Sequence, residues 1–69
     1  MKLTIEIKCD NSAFYDGFDG NEELSELEIL KILERIRFDL RNNFQTKLKS
    51  ENIIIDTNGN SVGFYKFTE

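Results

Sequence analysis

The sequence predicts an α+β fold: a three-stranded, mostly antiparallel sheet with one long helix packed on one face, in the order β-α-β-β. Three observations carry this expectation. Apolar and polar residues alternate strictly over residues 2–9, an apolar stripe recurs at helical spacing over residues 29–44, and two apolar runs near the end are joined by Asn58-Gly59.

The first element is a half-buried strand. Leu3, Ile5, Ile7 and Cys9 point one way, and Lys2, Thr4, Glu6 and Lys8 point the other. Residues 10–20 read as a loop, because Asp10-Asn11, Asp16-Gly17 and Asp19-Gly20 are turn formers. The helix is expected to begin near Asn21. Asp19 and Glu22 have the spacing of a capping box, and Asn21 is an alternative N-cap. Ile29, Leu33, Ile36, Leu40 and Phe44 form the stripe, with Leu30 and Ile32 on its flanks. Arg37 and Arg41 suit the negative end of the helix dipole. Asn42-Asn43 marks a stop, which leaves Phe44 just past the helix or in a last turn. Leu24, Leu27 and Phe38 fall on the opposite side of the helix from the stripe.

Asn-Gly between apolar runs is a strong hairpin signal, because both turn residues accept positive φ. A two-residue turn pairs Thr57 with Asn60, Ile55 with Val62 and Ile53 with Phe64 on one face. Ile54, Tyr65 and Phe67 fall on the other. One helix covers one face, so the second face needs the aromatic loop, a second copy or a partner. The last strand is expected in the middle of the sheet with the first antiparallel to it. The alternative sets the first strand parallel to the second.

At 69 residues the chain fits one domain, residues 1–69. A domain this small buries only about 60% of its unfolded surface. One cysteine allows no internal disulfide, and the lack of histidine disfavours structural zinc, which leaves packing or self-association as the stabiliser. A hydrophobic content of 39%, with six phenylalanines and two tyrosines, argues for a folded domain. No apolar run approaches the roughly 18 residues of a membrane span, and the alternating start is unlike a signal peptide. The expectation is a soluble cytoplasmic protein, with which the lone cysteine agrees.

The net charge of −4 is unevenly spread. Residues 9–30 hold seven acids and no base; the segments on either side carry a small basic excess. Such an acidic stretch repels nucleic acid and steers toward basic protein surfaces, although acids also suit the start of a helix.

Catalytic chemistry finds little support. There is no histidine to act as a base, Cys9 continues the buried face of a strand, and no glycine-rich phosphate loop occurs, so neither a catalytic set nor a cofactor is expected. Asp56, Asn58 and Asn60 start like a calcium loop, but Ser61 stands where glycine is needed and Phe67 where a bidentate glutamate is needed. Asp10, Asp16 and Asp19 match no metal-ligand spacing. Lys31, Arg35, Arg37, Arg41, Lys47 and Lys49 are interleaved with acids, so direct nucleic-acid binding is not expected.

The opening IEIKCDNSAF, the helix EILKILERIRFDL and the closing DTNGNSVGFYKF together resemble a group of small uncharacterised bacteriophage and prophage proteins. These open with a strand running into Asp-Asn-x-Ala-Phe and end in Asp-x-Asn-Gly-Asn-x-Val-Gly. The matching positions are Asp10, Asn11, Ala13, Phe14, Asp56, Asn58, Gly59, Asn60, Val62 and Gly63. Residues 15–20 and 41–51 depart from the pattern. The resemblance implies no activity, only a setting: a phage accessory protein in the cytoplasm of its bacterial host. Within it, Phe14 belongs to the shared opening and is expected in the core. Tyr15, Asp16, Phe18, Asp19, Glu22, Glu23 and Glu26 become the candidate partner surface, facing a basic host or phage protein such as a defence complex of the CRISPR type. Leu27, Phe38, Ile54, Tyr65 and Phe67 are the candidates for self-association, the basis of the alternative reading as a self-assembling accessory protein.

Overall fold

The computed structural model describes residues 1–16 and 23–69. Strand β1 (Lys2–Ile7) leads through a short 3-10 turn (Ser12–Phe14) into β2 (Tyr15–Asp16). Further along the chain come β3 (Glu23–Leu24), helix α1 (Glu26–Leu48), β4 (Asn52–Ile55) and β5 (Ser61–Thr68). β1, β5 and β4 form an antiparallel sheet with β5 in the middle, and β2 pairs with β3 in a separate small ladder. The fold is α+β, with the helix on one face of the sheet.

The helix starts later than the sequence suggested. Ser25 is its N-cap, and its Oγ accepts from the Leu27 amide at 3.2 Å. Asp19, Asn21 and Glu22, the expected caps, lie outside the described residues. The strand Glu23–Leu24 precedes the cap, because Ser25 donates its amide to the Phe14 carbonyl and holds this segment beside the 3-10 turn. At the other end, Asn43 leaves helical geometry (φ −135°, ψ 33°), but the chain bends there and continues to Leu48. Phe44 therefore lies past a kink, where its ring meets Phe67 edge to face at 5.6 Å. Asn52 closes the helix end: its Nδ2 lies 3.0 Å from the Lys47 carbonyl and 3.3 Å from that of Tyr65.

The hairpin register differs from a two-residue turn near its tip. The Asp56 amide donates to the Asn60 carbonyl, and the Gly59 amide donates back to the Asp56 carbonyl. The loop is thus three residues, Thr57 to Gly59, ending in Gly59 at φ +82°, the left-handed position that glycine tolerates. Ile55 accordingly faces Ser61, not Val62. One step on, Ile54 faces Gly63, so Val62 is an extra residue, a β-bulge. The bulge restores the expected register, and Ile53 does face Phe64.

That bulge adds Val62 to the face the helix covers. Val62 turns inward and joins Ile54 and Tyr65, which α1 buries with Ile32 and Ile36, while Phe14 seals one end. The sheet face with Ile54, Tyr65 and Phe67, expected to be uncovered, is the covered one. Ile54 and Tyr65 are buried and Phe67 half-buried, so none of them forms an open self-association surface. Ile53 and Ile55 lie exposed instead.

Candidate functional site

Two buried carboxylates organise the corner where the hairpin tip meets the helix start. Glu28, one of the seven acids of residues 9–30, is only 3% exposed. Its carboxylate accepts from the Thr57 amide at 3.0 Å and from Thr57 Oγ1 at 2.6 Å, with the Arg35 guanidinium 3.7 Å away. Ser25 and Glu28 have capping-box spacing, yet Glu28 reaches for the hairpin and not for its own helix. Asp56 is the second. It accepts from the amides of Asn58 and Asn60 and from Asn11 Nδ2, all within 2.9 Å. Burial alone would push its carboxyl up; these three donors outweigh it and hold it below its ordinary value. Asn11 Oδ1 also accepts from the Ala13 amide, so Asn11 links the opening of the chain to the hairpin loop. Asn11, Ala13, Asp56, Asn58 and Asn60 thus meet in one hydrogen-bonded corner. Their role here is architectural: they hold Phe14 at the end of the core.

The proposed partner surface begins where that corner ends. Tyr15 pairs with Leu24, and Asp16 with Glu23, in the β2–β3 ladder. Paired residues share a face, so the exposed Tyr15 and Leu24 form one apolar patch. Glu23 and Glu26 are exposed around it, and Leu27, 58% exposed, follows on the first turn of α1. Phe18, Asp19 and Glu22, the rest of the expected surface, lie outside the described residues. Leu24 was read from the sequence as off the helix stripe; its place opposite Tyr15 depends on a ladder too short to leave a periodic signal.

Further along α1, Phe38 is 63% exposed on the solvent side, as its spacing from the stripe implied. Leu27, Leu30, Lys31, Glu34, Arg35 and Thr57 border a shallow depression on the outer side of the helix. A smaller cleft of about 170 Å³ lies between α1 and β4, bordered by Ile36, Ile53, Arg35 and Asp39. Tyr65 also borders this cleft, and its Oη is buried with no hydrogen-bond partner among the described residues. Burial, and then the negative charge of Asp39, pushes the Tyr65 phenol up from its ordinary value.

Cys9 is half-buried beside the core, with its thiol toward the Ile7 carbonyl at 3.7 Å. No helix among the described residues is long and apolar enough to cross a membrane. Comparisons with protein-family models, with curated proteins and with solved structures return no match for this chain.

Proposed function

We propose that this chain works by binding another protein, through the acidic and aromatic end where the β2–β3 ladder joins the helix. The observation that carries the reading is the pairing of exposed Tyr15 with exposed Leu24 beside Glu23, Glu26 and Leu27. Aromatic and aliphatic anchors supply interface energy, while surrounding carboxylates speed association and select a basic partner. Asp16, Phe18, Asp19 and Glu22 extend the surface in sequence. The resemblance to phage and prophage proteins gives this reading its setting: an accessory protein that occupies the basic surface of a host factor. A defence complex of the CRISPR type is the class that fits, because an acidic face would imitate nucleic-acid phosphates before its basic groove.

The test is a tagged pull-down from bacterial lysate, compared with a variant carrying Asp16→Lys, Asp19→Lys, Glu22→Lys and Glu23→Lys. A host protein or complex retained by the native chain and lost in the reversal is the expected result. Equal capture by both, or capture of nothing but the chain itself, would sink the acidic-face mechanism. The second reading, a self-associating accessory protein, draws on the exposed sheet residues Ile53 and Ile55 and on the open sheet edges.

A further inference from the structure

The open edge of β1 carries a self-complementary sequence. We infer that two copies of this chain pair there, β1 antiparallel to β1, joining two three-stranded sheets into one of six. Among the described residues, β1 is paired on one edge, by β5. The Lys8 amide donates to the Val62 carbonyl at 2.7 Å, so the even-numbered residues of this strand aim their backbone groups at β5. Leu3, Ile5 and Ile7 therefore present their amides and carbonyls to the open side. Side-chain exposure agrees. Leu3 and Ile5 share the helix-covered face yet are 41% and 39% exposed, because α1 packs over β4 and β5 more than over β1.

Charge selects the occupant and the register. Like faces meet only when the two-fold axis passes through a residue, which leaves four choices. Centred on Ile5, Lys2 faces the second copy's Lys8. Centred on Glu6, that carboxylate faces itself. Centred on Leu3, Glu6 lies beyond the overlap and Lys2 faces Thr4. Centred on Thr4, Lys2 faces Glu6 at both ends, Leu3 faces Ile5 at both ends, and Thr4 faces its own copy. This register alone sets opposite charges together. Leu3 and Ile5 would exchange backbone hydrogen bonds. Lys2 and Glu6 would occupy the closer, non-hydrogen-bonded sites, with Cα atoms about 4.5 Å apart. Within one chain Lys2 faces Thr68 and Glu6 faces Phe64, and neither forms an ion pair among the described residues. The other sheet edge, β4, offers four residues, and Asn52 at its start is tied to the helix end.

This pairing uses none of the residues of the proposed partner surface, so either can fail alone. The test is sedimentation equilibrium of the whole chain up to roughly 500 µM, within reach of weak pairing. The expected result is a dimer whose Kd rises about tenfold in Glu6→Lys, as two opposite-charge pairs become like-charge pairs. The charge swap Lys2→Glu/Glu6→Lys should return it to within about threefold of the native value. Both positions are exposed, so the variants should keep the native circular dichroism. As a measurement needing no variant, the Leu3 and Ile5 amides should gain exchange protection as native protein concentration rises. A monomer throughout, a dimer indifferent to Glu6→Lys, a swap that fails to restore it, or Leu3 and Ile5 amides unchanged with concentration would overturn the inference.

Discussion

Glu28 shows what a single buried carboxylate does in a domain with few core residues. It bonds both the amide and the hydroxyl of Thr57, and so fastens the hairpin tip to the first turn of the helix. Glu28→Ala would leave the Thr57 amide without its acceptor, at a cost of about 1–3 kcal/mol. Thermal and urea unfolding should show this loss with no change in secondary structure at low temperature. Asp56 makes the same corner sensitive to acid. Its folded-state pKa lies below the ordinary 3.8, so its stabilisation is fully present above that value and is lost as pH falls through the folded one. Melting temperature should therefore drop as pH is lowered below about 4. Asp56→Asn should melt lower than the native chain at neutral pH and lose less on acidification.

Among the elements, the sheet depends on a close approach that only glycine permits. A Cβ at Gly63 would collide with the Glu6 carbonyl oxygen of β1. The neighbour is backbone, so it cannot swing away. Gly63→Ala should cost on the order of 3 kcal/mol, a large part of the stability of so small a domain. The expected signature is loss of amide protection in β1 and β5 before α1 melts. The bulge at Val62 and the kink at Asn43 act with it. The bulge turns a third β-hairpin side chain into the core, and the kink brings Phe44 onto Phe67.

As a whole, the molecule is elongated, 45 × 21 × 18 Å, with a radius of gyration of 13.7 Å where a compact chain of this length has about 11 Å. Among the described residues, six buried apolar side chains make up the core, and a dozen large apolar ones are exposed. Leu27 and Phe38 are the clearest of these, since neither helps the helix to pack. Replacing both with serine should change unfolding free energy by no more than about 0.5 kcal/mol per site. If the helix's outer side takes part in partner binding, the same variant should lose capture in the pull-down while keeping its melting temperature.

Period and turn chemistry were enough to read the order of the first strand, the helix and the hairpin, and the alternation of Leu3, Ile5 and Ile7. Each is a local pattern, written in the residues that form it. The acidic stretch and the exposed position of Phe38 were equally legible, because charge and helical spacing need no fold to be counted. The helix start was not, since Asp19, Asn21 and Ser25 all suit a cap and only the bond from Ser25 to Phe14 shows the chain still extended at residues 23–24. Nor could the sequence separate Glu28 from its exposed acidic neighbours, because its partner, Thr57, lies 29 residues away. The place of Val62 in the core was decided by a three-residue loop and one bulge, which shift side-chain direction by a single residue. Alternation alone leaves both faces apolar, and only the packed helix distinguishes them.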